Sequence, residues 1–219
     1  MSNLTLVIGN RNYSSWSLRP WILLKHLELP FREIRLVLDT AEFKANIGRY
    51  SPTGRVPVLL DGELAVWESV AILEYLSELG GGAGWPHDRV ARATARAVAA
   101  EMHAGFAALR SGYPMNIRAR DRHVPMTAAL AEAIARLDQL WSDCRERFGT
   151  GGPWLFGRYS AADAMYLPVA LRFRTYSTEG LNTVARDYVS TAVADPLLAS
   201  WLAAATAETE TIEHEEVGR

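Results

Sequence analysis

Asn12-Tyr13-Ser14-Ser15-Trp16-Ser17-Leu18-Arg19-Pro20-Trp21 lies just behind the short apolar run Leu4–Ile8, and its reading decides the fold. Pro20 locates a helix start. In a helix interior it would remove a backbone hydrogen bond and clash with the preceding turn, at about 3 kcal/mol. In a first turn the amides have no partner to lose. A helix is therefore expected to begin between Ser15 and Leu18, with Pro20 in its first turn and a serine as N-cap. That gathers hydroxyls and free amides at the positive end of a helix, where an anion is favoured.

Upstream, Thr5–Ile8 reads as a buried strand ended by Gly9-Asn10. Downstream, Leu18, Trp21, Ile22 and Lys25 have amphipathic-helix spacing, stopped near Leu29-Pro30. Phe31–Leu38 alternates, with Ile34, Leu36 and Leu38 on one face and Glu33, Arg35 and Val37 on the other. A strand, a helix of this length and a strand make a βαβ unit, whose strands should be parallel. Phe43–Tyr50 reads as a short helix. Val56–Leu60 and Glu63–Trp67 flank Asp61-Gly62, a pair suited to a tight type I′ hairpin. Glu68-Ser69 then opens a helix with Ile72, Leu73, Tyr75, Leu76 and Leu79 on its core face. The order over residues 1–80 is thus β-α-β-α-β-β-α, an α/β unit.

The glycine run Gly80–Gly84 before Trp85-Pro86 marks a domain boundary. Residues 87–207 read as all-helical: Val90–Leu109, Pro125–Phe148 (broken by Gly149–Pro153), Leu181–Val193 and Pro196–Ala207. Ser160-Ala161-Ala162-Asp163 ahead of an apolar run has the form of a capping box, which makes Ser160 and Asp163 structural residues. The tail, 208–219, carries five glutamates and little to bury, so it is expected to be frayed.

Composition narrows the function classes. The chain has 219 residues, 49% apolar and 22% charged, enough for a sizeable core. A net charge of −2 offers no basic face for nucleic acid. Cys144 is the single cysteine, which excludes an internal disulfide and a cysteine-rich zinc site and suits a reducing compartment. It sits mid-helix and reads as inert. His87, His103 and His123 are too dispersed to suggest a metal site, and His26 reads as a cap for the C-terminal end of the first helix. No apolar run approaches the roughly 20 residues a membrane span needs, and no basic-then-apolar leader opens the sequence. The expectation is a cytoplasmic protein that engages neither membrane nor nucleic acid.

Ser51-Pro52-Thr53-Gly54-Arg55-Val56-Pro57-Val58-Leu59, then Trp67-Glu68-Ser69-Val70-Ala71-Ile72-Leu73-Glu74-Tyr75-Leu76, join the serine-rich turn, the linker and the capping box. Together they resemble the cytosolic glutathione S-transferase family over nearly the whole chain. Ser14-Ser15-Trp16-Ser17-x-Arg19 looks most like its serine-type classes, zeta and related bacterial members, with Trp16 where zeta members usually carry a cysteine. The resemblance implies a thioredoxin-like N-terminal domain, an all-helical C-terminal domain and a homodimer. It also implies a glutathione site on the first domain and, between the two domains, a pocket formed by the helical one for a small hydrophobic electrophile. Glutathione would serve as co-substrate, with no tightly bound cofactor and no metal.

By that resemblance Ser14, with Ser15 as the alternative, donates a hydrogen bond to the glutathione sulfur, while Ser15 and Ser17 otherwise read as caps. Lowering a thiol pKa from about 8.5 to about 6.5 takes roughly 2.7 kcal/mol. One hydrogen bond to a charged acceptor contributes about 1.5–3 kcal/mol and a helix N-terminus about 0.3–1 more, so one hydroxyl suffices. The Val56 backbone would pair with the cysteinyl backbone beside Pro57, whose peptide isomer the sequence leaves open. Ser69 would receive the γ-glutamyl carboxylate and Glu68 the ammonium; Arg55 or Lys44 would reach the glycyl carboxylate. Met102, Phe106, Tyr113, Arg172, Phe173 and Tyr176 are candidate walls of the electrophile pocket, though each also reads as interhelical core. The implied activity is glutathione transfer. A zeta-like cis-trans isomerase of the maleylacetoacetate type and a non-catalytic glutathione-binding member are the alternatives.

Overall fold

The computed structural model describes residues 4–219, so the first three residues of the expected 1–80 unit lie outside the described residues. The first part runs β1 (Leu4–Ile8), α1 (Ser15–His26), β2 (Phe31–Arg35) and α2 (Ala41–Asn46), the last extended by a 3-10 turn over Ile47–Arg49. It closes with β3 (Val58–Asp61), β4 (Leu64–Trp67) and α3 (Ser69–Leu79). The sheet order is β2-β1-β3-β4. β1 and β2 are parallel, with Val7 opposite Ile34, as a βαβ unit requires. β3 is antiparallel to both β1 and β4. The sheet is covered on both faces, which is why β1 is a continuous apolar run. Leu4, Leu6 and Ile8 point to α1 and α3 and join the main core, whereas Val7 and Val58 meet Ile34, Leu36, Phe43 and Ile47 on the other face.

The remainder is helical: α4 (Arg89–Ala104), α5 (Ala107–Gly112), α6 (Ala128–Phe148), α7 (Ala161–Thr175), α8 (Thr183–Val193) and α9 (Ala199–Ala207). Every residue of α7 except Arg174 is buried. The helix packs on α1, α4 and α8 and so ties the helical part to the sheet part. Its start is the expected capping box: Asp163 accepts from the Ser160 backbone amide at 2.9 Å and, through its other oxygen, from the Leu155 amide at 3.0 Å. Burial raises the Asp163 carboxyl to about 6 despite these bonds.

Several expectations are corrected. α1 begins at Ser15, early in the expected window, so Pro20 lies beyond the free-amide turn and interrupts the helix ladder. Ser14 is the N-cap, but its hydroxyl makes no capping bond because it pairs with the Ser17 hydroxyl. His26 ends α1, yet its ring bonds Asp195 at 2.7 Å and stacks on Tyr159 rather than capping carbonyls. β2 stops at Arg35, because Asn10 Oδ1 takes the Leu38 amide at 2.8 Å and turns the chain away. In the hairpin Asp61 pairs with Leu64, so Gly62-Glu63 form the turn. Only Gly62 of the two has positive φ, the type II′ pattern and not I′.

The helix expected over Val90–Leu109 is broken at Gly105-Phe106, where Phe106 adopts φ 58° and a Cβ on Gly105 would stand 2.8 Å from the Glu101 carbonyl oxygen. α6 starts at Ala128 instead of Pro125, capped by the Thr127 hydroxyl.

The largest departure is the tail. Far from fraying, 208–219 docks on the serine turn. Glu208 accepts from the Arg11 and Asn12 amides at 2.8 and 3.0 Å. Glu216 accepts from the Tyr13 hydroxyl at 2.7 Å, Asn116 at 2.8 Å and Arg122 at 2.9 Å. Ile212 is buried between these two anchors. The glutamates read as solvated charge are thus partly ligands of donors far away in sequence.

Candidate functional site

Two adjoining hollows open where the C-terminal side of the sheet meets the helices. The first, about 330 Å³, is walled by Tyr13, Ser14, Ser15, Trp16, Leu38, Phe43, Gly54, Arg55, Val56, Arg110, Arg172 and Glu215. The second, about 260 Å³, is walled by Trp16, Thr53, Arg55, Val56, Pro57, Trp67, Glu68, Ser69 and His103. Trp16, Arg55 and Val56 belong to both. Trp16 therefore divides one elongated cleft.

The indole is held by cations. Arg19 lies one turn on in α1, and its guanidinium stacks on Trp16 at 3.9 Å; Arg110 of α5 approaches to 5.5 Å and His103 of α4 meets the ring edge-on at 5.4 Å. Arg19 is wholly buried, donates through Nε to the Met165 carbonyl at 3.2 Å, and its Nη atoms meet no protein acceptor. Burial, and then the charges of Arg172 and Arg110, hold its pKa well below the ordinary guanidinium value.

At the serine turn the hydroxyls of Ser14 and Ser17 are 2.7 Å apart, and Ser17 also accepts from the Gly9 amide at 3.1 Å. Ser15 accepts from Arg172 Nη2 at 3.1 Å. Tyr13 shares the wall, but its hydroxyl is turned to Glu216 and to Arg118, 2.9 Å away, and its pKa is raised by burial first and by Glu216 next. That phenol is unsuited to holding an anion. Ser14 and Ser15 are the hydroxyls on this wall that are not turned to a carboxylate.

In the second hollow the Val56–Pro57 peptide is cis. Glu68 sits ahead of α3 with φ 65°, and its carboxylate lies 3.3 Å from His103 Nε2. The Ser69 hydroxyl is 3.5 Å from His103 Nδ1. Burial holds His103 below its usual pKa, opposed by Glu68 and reinforced by Arg19 and Arg110. A neutral ring with the hydrogen on Nε2 serves both neighbours, donating to Glu68 and accepting from Ser69.

The sequence-derived candidates thus divide. Ser14, Ser15, Arg55, Val56, Pro57, Glu68, Ser69 and Arg172 come together on the cleft. Lys44 is exposed on α2 and lines neither hollow. Met102, Phe106, Tyr113, Phe173 and Tyr176 pack in the helical core, Tyr113 stacking on Tyr176 at 4.6 Å. Tyr13, Thr53, Gly54 and Trp67 reach the cleft from the sequence motifs with no role expected of them, and the cleft residues not anticipated at all are Leu38, Phe43, His103, Arg110 and Glu215. Cys144 is buried in α6, which raises its thiol to about 12. Among the described residues no group of three or more His, Cys, Asp or Glu gathers as a metal site, and no single helix is long and apolar enough to cross a membrane.

Comparison with known proteins agrees with this layout. Residues 13–79 match the model for the glutathione S-transferase N-terminal domain and residues 127–204 that for its C-terminal domain, between them more than half of the chain. A dichloromethane dehalogenase of Methylorubrum extorquens is 45% identical over 60 residues, covering 26% of this chain and 21% of that protein. One from Methylophilus leisingeri is 40% identical over 58 residues, 26% of this chain and 22% of the relative. The chain thus spans about a fifth of the length of the curated relatives it matches. Among solved structures, a glutathione transferase homologue from Burkholderia gl BGR1 with bound glutathione superposes with TM-score 0.69 at 23% identity, covering 94% of this chain and 100% of the other. The Tau class glutathione S-transferase of mango, Mangifera indica, gives 0.71 at 18%, covering 98% and 96%. With a thioredoxin-like sheet part, an all-helical part and both family domains in order, the chain belongs to the glutathione S-transferase family.

Proposed function

We propose that the protein is a glutathione transferase that holds the tripeptide along the cleft and adds its sulfur to an electrophile in the first hollow. One observation carries this reading: serine hydroxyls at the α1 start, Val56 and the Glu68-Ser69 helix start line two adjoining hollows that share Trp16, Arg55 and Val56. Glutathione needs separate anchors for its charged ends and its thiol, and these are separate. The γ-glutamyl end lies against Ser69, Glu68 and His103, the cysteinyl backbone pairs with Val56, and Arg55 takes the glycyl carboxylate. The thiol then faces Ser14 and Ser15. The thiolate sulfur attacks an electrophilic carbon, a thioether bond forms, and the leaving group departs with the displaced electron pair. The residues on the cleft supply binding and anion stabilisation, so glutathione acts as co-substrate and no further cofactor enters the step.

The electrophile class has a second reading. Likeness to dichloromethane dehalogenases, over a short stretch, favours a carbon bearing a halide leaving group. Trp16, in the place of the zeta cysteine, narrows the first hollow and speaks against the isomerase alternative. The protein acts as a homodimer in a reducing, cytoplasmic setting. Support for the dimer is the hollow by Ala65, Val66, Trp67, Glu68 and Ala71, where Trp67 is 42% exposed on the edge strand β4. Trp67→Glu should yield monomers in sedimentation experiments.

The test of the activity is calorimetric titration with glutathione, followed by product detection with halogenated alkanes, a peroxide and a cis-dienedione. Binding with thioether or halide production supports the reading. Lack of glutathione binding would sink it.

A further inference from the structure

α7 is the most buried helix of the molecule, and an arginine inside it is out of place on hydrophobic grounds. Arg172 is buried, donates through Nη2 to Ser15, and finds no protein partner for Nε or Nη1. A buried cation without a bonded carboxylate is destabilising, and an apolar side chain of similar size would stabilise the helix more. Its pKa falls to about 10, burial being the main cause, so it stays charged at neutral pH. The charge faces the first hollow.

We propose that Arg172 is a positioning residue that turns the Ser15 hydroxyl toward the glutathione sulfur, so that Ser15, backed by a cation, is the principal holder of the thiolate. A serine hydroxyl has one hydrogen and two lone pairs, and a guanidinium only donates. Once Arg172 Nη2 occupies a lone pair of Ser15 Oγ, the Ser15 hydrogen cannot return to the arginine. Ser15 is N1 of α1 and lines the first hollow, so its hydrogen, which has no protein acceptor, is available to an anion there. A hydroxyl accepting from a cation is a stronger donor than one in a neutral chain. Ser14 is in a neutral chain, joined to Ser17 and through it to the Gly9 amide.

Other charges face this point. Arg110 of α5, Arg55 of the β2–β3 connection and Arg19 of α1 add positive potential, while Glu215 of the tail opposes it and Tyr13 is turned away. Glu215 is itself pushed up by burial and pulled down by Arg172. None of the three other arginines bonds Ser15, so the coupling proposed is specific to Arg172.

This inference rests on the transferase reading, and its test is the thiolate absorbance of glutathione bound to the intact chain, titrated against pH. Arg172→Met and Ser15→Ala should each raise the bound thiol pKa by about one unit or more, a tenfold loss of thiolate at pH values well below the wild-type pKa. The double variant should be no worse than Ser15→Ala alone, Arg172→Lys should recover part of the shift, and Arg172→Met combined with Ser14→Ala should add in full. A bound-thiol pKa equal to wild type in Ser15→Ala overturns the proposal, whether or not the Arg172 variants fold. So does full additivity of Arg172→Met with Ser15→Ala. If the wild type itself binds no glutathione, the transferase reading falls and this inference with it; unchanged pKa values in a chain that binds remove this inference alone.

Discussion

Replacing Glu208 by alanine tests whether the acidic tail is part of the fold. Its side chain is 6% exposed and accepts two backbone amides, from Arg11 and Asn12, immediately before the serine turn. Arg35 adds a bond at 3.2 Å, and the Arg118 guanidinium donates to the Glu208 backbone carbonyl. A hydrogen bond to a charged acceptor contributes about 1.5–3 kcal/mol, and an amide left without a partner is costly unless water reaches it. These amides are only partly buried, so water recovers some of the loss, and the expected effect is about 2–3 kcal/mol. Glu210 supplies the control: it pairs with Arg35 at 2.7 Å but is 30% exposed, so Glu210→Ala should cost only about 0–1 kcal/mol. Urea unfolding at neutral pH measures both. The Glu208 effect should persist in high salt, whereas the Glu210 effect should be screened away. Truncation after Ala207 should lose at least as much as Glu208→Ala, because it also removes Glu216 and buried Ile212. Equal, small losses for the two glutamates, or a truncated chain as stable as the full one, would refute the docked tail.

Two further predictions follow from buried titratable groups. Asp163→Ala should cost about 2–4 kcal/mol, since it strands the Leu155 and Ser160 amides inside the protein; thermal unfolding reads this, and an effect under 1 kcal/mol would show the capping box to be dispensable. Cys144 is raised to about 12 in the fold from an ordinary 9.0, so the unfolded chain releases its proton first as pH rises. Stability of the wild type relative to Cys144→Ala should therefore hold below pH 9 and fall by about 1.4 kcal/mol per pH unit above it. The native thiol should also resist a disulfide reagent at neutral pH; rapid labelling without unfolding would contradict its burial.

What was legible in the sequence was what is local. The apolar run of β1 and the Ser160–Asp163 box declare themselves within a few residues and form as expected, while the second strand and the hairpin form with a shorter span and a different turn. Errors arose where a distant partner decides. Ser14 reads as a capping serine until Ser17 claims its hydroxyl. The helix through residue 109 reads as continuous, because a single glycine, Gly105, does not by its type announce the left-handed Phe106 that follows it. Glutamates of the tail look solvated because their donors lie nearly two hundred residues away. The cleft shows the same division. Val56, Glu68 and Ser69 stand in short motifs, whereas His103, Arg110 and Glu215 reach it from elements whose mutual placement no periodicity encodes. Arg172 was legible as a helix-face residue, but its bond to Ser15 spans the two parts of the chain.

The most direct test of the account is the pKa of the glutathione thiol on the wild-type protein, read from thiolate absorbance at saturating protein. A serine-held sulfur at this helix start should titrate about two units below the free thiol, near 6.5. Glutathione that binds yet titrates as it does in free solution would contradict the account.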